Sequence, residues 1–410
     1  MRTPGTETSA TEGARRIEWA RRSMPSLWAI AERQTREGMF RGQRVGIANV
    51  LEPKTANMVL ALKQAGAEVS VYAAAAEAMP EVADALREMG VDVFNDMTGD
   101  PESDLAQARA FLQWGPQILV DDGAELIRLA HAEFPELLRT MRGAAEVTTS
   151  GVRPLRQMES EGALRLPVIA INDAPTKHLF DNVYGTGQSC VMALLDVTNL
   201  QIAGRTVVVL GYGYVGNGVA RYAAALGARV VITELDPIKA LQAHYDGYRV
   251  SSLADIAPEA EVVIASTGIP GAMTAEHLTN LRDGAILCTA GGGAYELPME
   301  HLREHGTRRE VRADVEEYTL PGGKHVLVIG EGEWINLMCG EGNPIEVMDL
   351  SMSVQSLAAE AIASGPADRA PGVYLLPRDV EEQIARIRIA HENASIEELT
   401  PELTAAMKRW

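Results

Sequence analysis

The stretch Val207-Val-Val-Leu-Gly-Tyr-Gly-Tyr-Val-Gly216, continued by a helical segment and by Val230-Val-Ile-Thr-Glu234, decides the fold. The first apolar run reads as a buried strand and the glycines as a tight turn. A helix and a second strand ending in an acid follow, which completes a βαβ unit of the dinucleotide-binding kind. Each position has a physical task. Gly211 permits the turn, Gly213 lets the backbone approach a pyrophosphate, and Gly216 lets helix and strand pack closely. Tyr214 and Val215 open the helix, whose N-terminus faces the phosphates. Glu234 is placed to accept hydrogen bonds from a ribose diol and would repel a 2′-phosphate, so the expected cofactor is NAD rather than NADP.

Outward from this unit, the 410-residue chain is long enough for two or three domains with well-buried cores. Its 37 Lys and Arg against 56 Asp and Glu leave a net charge of −19, which disfavours nucleic acid and anionic membranes as partners. Cys190, Cys288 and Cys339 are odd in number and widely spaced, a pattern of neither a disulfide framework nor a zinc site. With no apolar run of spanning length and no signal-peptide core, the expected compartment is the cytoplasm. No His or carboxylate cluster has metal-binding spacing, so no metal is expected.

Alternating apolar strands and amphipathic helices place the chain in the α/β class, with two Rossmann-like doubly wound domains and a C-terminal helical segment. Residues 1–14, rich in Thr, Ser, Gly and Glu, are expected to be disordered. A substrate domain is expected over 15–184, completed by 345–378, an NAD-binding domain over 185–344, and C-terminal helices over 379–410, with the last at 395–408. The run Ile118-Leu-Val120 leads into Asp121 and Asp122, and ligands of open parallel sheets bind at such strand ends. Asp121 has a second reading as a cap for the helix starting near Glu125. The run Val168-Ile-Ala-Ile171 ends at Asn172 and Asp173, with Lys177, Asp181 and Asn182 close behind. Lys177 and Asp181 could form an ordinary surface bridge four residues apart. Their place after a strand end and before Tyr184-Gly185 instead suggests a domain crossing, where a lysine among carboxylates can move protons. Two further strand ends carry small residues, Thr267-Gly268 and Ala290-Gly291, which suit a flat cofactor lying across the sheet. His131, His301 and His305 are read as carrying no chemistry.

Several stretches together resemble the S-adenosylhomocysteine hydrolase family. They are Asp121-Asp-Gly123 with Glu125-Leu126, Thr148-Thr-Ser-Gly151, Ile171-Asn-Asp173 with Thr176-Lys177, Phe180-Asp-Asn182, Gly204 to Gly218, Ile232-Thr-Glu-Leu-Asp-Pro237 with Ala240-Leu-Gln242, and Gly372-Val373 with Leu376-Pro377. The resemblance implies a tightly held NAD that oxidises a nucleoside 3′-hydroxyl, so that the neighbouring C4′ proton becomes acidic and the 5′ substituent is expelled; the ketone is later reduced again. It further implies that Lys177 helps deprotonate the 3′-hydroxyl, Asp181 binds the sugar diol and Asp122 works at C4′. Thr148, Thr149, Ser150, Asn182 and Asn336 would hold the nicotinamide and its ribose. Glu52, Lys54, Thr55 and Asn343 would meet the substrate, and a homotetramer or homodimer is expected.

Against the family's pattern, a usual histidine is Val50, the usual threonine-run glutamate is Val147, a usual cysteine is Thr186, and two more histidines are Gly292 and Asn343. The chain also ends at Trp410 without the family's terminal segment. Loss of two imidazoles would weaken acid and base steps by roughly two to four orders of magnitude each. The expectation drawn from these departures is a nucleoside dehydratase, a lyase of the kind found in antibiotic biosynthesis, that eliminates water to leave an exocyclic alkene. The alternatives are a true adenosylhomocysteinase or a non-catalytic NAD-bound regulator. His178, beside Lys177, is a candidate to replace a lost imidazole.

Overall fold

A computed structural model describes residues 8–366 and 368–408. It contains two sheets, each wound with helices on both faces. The first sheet has the order β15-β6-β5-β4-β1-β2-β3 and is parallel throughout. Its strands are β1 (Arg44–Ala48), β2 (Glu68–Tyr72), β3 (Asp92–Phe94), β4 (Ile118–Asp121), β5 (Gly143–Glu146), β6 (Pro167–Ala170) and the late-returning β15 (Gly372–Tyr374). The second sheet comprises β7 (Thr206–Leu210), β8 (Arg229–Thr233), β9 (Arg249–Val250), β10 (Val262–Ala265), β11 (Ala285–Thr289), β12 (Thr307–Arg312), β13 (Val315–Thr319) and β14 (His325–Ile329). Its order is β12-β13-β14-β11-β10-β7-β8-β9, parallel except for the antiparallel pairs that β13 makes with β12 and β14. Each sheet reverses its strand order beside a central strand, at β1/β4 and at β7/β10, which opens a crevice at the carboxyl ends there.

β7 and β10 are buried along their whole length, as parallel strands covered on both faces must be. The helix Ile345–Ser364 returns from the second sheet and drives Leu350, Val354, Leu357 and Ile362 into the core of the first. It also carries the fully buried Asp349, which accepts from Ser26 N (3.1 Å) and Leu27 N (2.9 Å). Those are orphan amides at the start of the helix Pro25–Glu37, whose own N-cap, Met24, supplies no side-chain acceptor. The crossing between the sheets is a wide π-type helix, His178–Thr186. It lies against the helix Tyr214–Ala225, where a Cβ on Gly218 would stand 2.1 Å from Val183 O. Only glycine fits there.

Two expectations need correction. Disorder over 1–14 gives way at Ser9, where the helix Ser9–Arg21 begins; residues 1–7 lie outside the described set. Ala10, Gly13, Ile17 and Ala20 form its buried stripe, and a Cβ on Gly13 would lie 1.8 Å from Glu81 O, so close backbone packing orders a polar-looking segment. The last helix does not start at 395 but spans Pro401–Met407, with Thr400 as N-cap and proline in the first turn, and residues 409–410 lie outside the described set. The preceding helix, Arg378–His391, packs through Ile384 and lends Glu381 as acceptor to Thr176 N (3.1 Å).

Candidate active site

The dinucleotide crevice follows from glycine geometry. Gly211 has φ +93°, and a Cβ on Gly216 would stand 2.1 Å from Gly211 O. Gly213 faces open space in front of the helix Tyr214–Ala225, whose first N–H groups are free to meet phosphate. Glu234, just past β8, accepts from Tyr212 N (2.7 Å), Leu235 N (2.7 Å) and Asp236 N (3.0 Å), which fixes the carboxylate beside the turn. Across the crevice Thr267 donates to the buried Glu296. Gly268 and Gly291 have positive φ, and Ala290 is buried. An open floor, a helix N-terminus and an acid at the second strand end are what NAD requires of its adenosine diphosphate site, and these residues fit it.

A cavity of about 420 Å³ adjoins this crevice. Its lining brings together Glu52, Lys54, Thr55, Asp122, Thr148, Ser150, Lys177, Asp181, Gly291, Asn336 and Asn343, all singled out in the sequence. Lys177 and Asp181 are buried, with Nζ 3.5 Å from Oδ2 and donating to Asn182 Oδ1 at 2.8 Å, so the surface-bridge reading fails. Asp181 in turn accepts from Asn343 Nδ2 at 2.6 Å, and Asn343 Oδ1 accepts from Ser189 (2.8 Å) and Asn336 (3.2 Å). Desolvation pushes Asp122 up to about 6; Lys177 opposes the shift, and Asp181 and Glu125 add to it. Glu52 and Lys54 form a buried pair at 2.9 Å at the start of the helix Pro53–Gln64. Glu52 caps that helix through Lys54 N (2.9 Å) and Thr55 N (3.3 Å), while Lys54 Nζ also donates to Glu341 O (2.7 Å).

Not every expected residue lines the cavity. Thr149 turns away to donate to Asn172 Oδ1 (3.0 Å), and Asn182 reaches the site only through Lys177. His178 does not replace an imidazole there: its ring stacks on Tyr214 at 4.2 Å, and Nδ1 pairs with Asn172 O (3.2 Å). Asp121 takes the bland role, accepting from Ile127 N (2.8 Å) in the first turn of the helix Glu125–Glu133. His131 is structural, bridging Ile127 O and Arg165 N.

Sequence reasoning gave no site role to three acids. Glu146, buried at the end of β5, accepts from Gly123 N (2.9 Å), Ala124 N (2.8 Å) and Thr148 N (2.9 Å), so it holds both the Asp122 loop and the threonine run. Desolvation, then Asp121 and Asp122, raise its pKa. Glu77 and Glu125 also line the cavity. A glutamate closing the apolar run Gly143-Ala-Ala-Glu146 is the signal that could have exposed the first. The stretch Ala73-Ala-Ala-Ala-Glu77 offers no comparable one.

Crevice and cavity define a class: NAD-binding proteins of two wound sheets, with a polar pocket beside the dinucleotide crevice. The chain belongs to the S-adenosylhomocysteine hydrolase family. Residues 182–342 match its description "S-adenosyl-L-homocysteine hydrolase, NAD binding domain". The chain is 44% identical over 98% of its length to the S-inosyl-L-homocysteine hydrolase of Methanopyrus kandleri, covering 95% of that protein. It is 39% identical to the adenosylhomocysteinase of Thermotoga maritima, over 97% of this chain and 99% of that one. Identity to the S-inosyl-L-homocysteine hydrolase of Methanocaldococcus jannaschii is 42%, over 97% of this chain and 96% of that one. These relatives overturn the expected dehydratase and its place in antibiotic biosynthesis: they match nearly end to end, and their names are those of hydrolases, not lyases. No helix among the described residues is long and apolar enough to cross a membrane.

Proposed function

We propose that the protein hydrolyses a nucleoside–homocysteine thioether, and that the base it takes is a 6-oxopurine, as in S-inosyl-L-homocysteine. The observation that carries this reading is the meeting of Lys177, Asp181 and Asp122 with the Glu52–Lys54 pair in one cavity. NAD, when bound, supplies a two-electron acceptor for a sugar hydroxyl that no side chain can provide. The chain's own residues do the rest. Lys177 takes the 3′-hydroxyl proton, and Asp181, oriented by Asn343, holds the diol. Asp122 takes the proton from C4′, which the neighbouring carbonyl acidifies, so that the thiolate leaves from C5′ with formation of a C4′–C5′ double bond. Water then adds at C5′, the proton returns to C4′, and the sugar ketone is reduced again.

The base preference rests on donor and acceptor chemistry. An ammonium only donates and an ionised carboxylate only accepts. Hypoxanthine presents O6 as an acceptor beside N1–H as a donor, which complements Lys54 beside Glu52. Adenine presents the reverse, with an amino donor at position 6 and an acceptor at N1. Lys54 spends two of its three protons on Glu52 and Glu341 O and keeps one for the ligand.

The test is thioether synthesis. NAD-loaded protein is incubated with L-homocysteine and either inosine or adenosine, and product mass is followed. The reading expects the thioether of inosine to form faster than that of adenosine. Faster formation with adenosine would overturn the base assignment. A nucleoside product formed without consumption of homocysteine would overturn the hydrolase.

A further inference from the structure

Glu77 is held at the rim of the cavity by its backbone. Leu51 N donates to Glu77 O (2.8 Å) and Met79 N donates to Leu51 O (2.9 Å), which pins the short turn Ala75–Glu77 against the loop carrying Val50 and Glu52. The Glu77 side chain has no hydrogen-bond or ion-pair partner among the described residues, and it lines both the main cavity and a second one of about 450 Å³ beside it. The charges that act most strongly on Glu77 are those of other acids. Desolvation, then the charges of Asp122, Glu125, Asp104 and Glu333, push its carboxyl up to about 8. An arrangement of this kind is costly when empty and is relieved by a cation. On the helix Glu125–Glu133, one turn beyond Glu125, the exposed Arg128 lines the main cavity and also has no side-chain partner among the described residues. The lining of the cavity therefore offers an unpaired carboxylate and an unpaired guanidinium. Zwitterionic α-amino acids carry the complementary pair.

We propose that Glu77 and Arg128 form the amino-acid subsite, Glu77 taking the α-ammonium and Arg128 the α-carboxylate of the homocysteine portion. The assignment rests on the hydrolase reading above and extends it from the nucleoside to the leaving group. Glu77 and Arg128 act in binding, while Asp122, lining the same cavity, works on the sugar. The subsite places the thiol so that sulfur, with no charge to anchor it, points back towards C5′.

The experiment measures thioether formation from inosine and three thiols: L-homocysteine, its deamino analogue and its decarboxylated analogue. The full-length NAD-loaded enzyme is compared with Glu77→Gln and Arg128→Met. Wild type is expected to prefer L-homocysteine over both analogues. Glu77→Gln should narrow the preference over the deamino analogue by about tenfold or more, leaving the other preference in place. Arg128→Met should do the converse. NADH formed from inosine alone reports whether each variant is folded and loaded. Unchanged preferences in both variants, with thioether formation intact, would overturn the subsite alone. Failure of wild type to join any thiol to inosine while still forming NADH would overturn the hydrolase reading, and the subsite with it.

Discussion

The crevice around Gly211–Glu234 and the cavity around Asp122 and Lys177 share a wall but are built by different physics. The crevice is a backbone site. Its specificity lies in a positive φ at Gly211, packing at Gly216 that leaves no room for a Cβ, free amides at a helix start, and one carboxylate, Glu234. The cavity is a side-chain site, where acids and a lysine from separate elements are desolvated together and each depends on its neighbours. Substitutions in the crevice should therefore cost cofactor and fold at once, and substitutions in the cavity should cost chemistry while sparing both.

The largest effect is expected from Lys177→Ala. Turnover should fall by about two to four orders of magnitude, while NAD remains bound and the melting temperature moves little. Loss of NAD together with turnover would break the distinction. In the crevice, Gly216→Val drives a side chain into Gly211 O, and NAD should no longer copurify with a protein destabilised by about 1–3 kcal/mol. Ultraviolet absorbance of released nucleotide and thermal melting read both consequences. Next in size is the pH profile. If Asp122 must be ionised to take the C4′ proton, kcat/KM should fall as pH drops through about 6, the value to which desolvation has raised it. Asp122→Asn should remove that limb along with most of the activity.

These contrasts explain what could be read from the sequence. The glycine turn and its flanking strands were legible because the conformations they require exclude nearly every other residue. Lys177, Asp181 and Asp122 were legible as residues at strand ends and in a crossing, and the resemblance gave them roles. Glu146 was not, since its work is to accept three backbone amides from loops that the sequence cannot place beside it. The exposed strand β12 was equally hidden: Thr307-Arg-Arg-Glu-Val-Arg312 has no apolar face, and only pairing with β13 makes it a strand. Departures at Val50, Val147 and Gly292 suggest a change of reaction when taken alone, yet the chain matches hydrolases over 97–98% of its length. The cavity nevertheless brings Lys177, Asp181 and Asp122 together, with Glu77 and Arg128 also in its lining.

A smaller effect should come from Lys54→Met, which removes the donor expected at O6. The preference for inosine over adenosine should fall by about tenfold, with the reaction on the sugar otherwise intact. Smallest is Asp121→Asn. Burial raises the pKa of Asp121, so the stability linked to its proton is full below the ordinary aspartate range and declines as pH rises towards the raised value. The asparagine variant can still accept from Ile127 N and should lose less stability between pH 5 and 8 than wild type, by roughly 1 kcal/mol in denaturant melts.

The central claim is that Lys177, Asp181 and Asp122 activate the sugar of a nucleoside reversibly, with NAD recycled in each turnover. Proton exchange at C4′ tests it most directly. NAD-loaded protein is incubated with inosine in deuterated water without any thiol, and the recovered nucleoside is examined by NMR and mass. The account predicts deuterium at C4′ alone, at a rate that falls sharply in Lys177→Ala and Asp122→Asn. Inosine recovered without label from an enzyme that is otherwise turning over would contradict it.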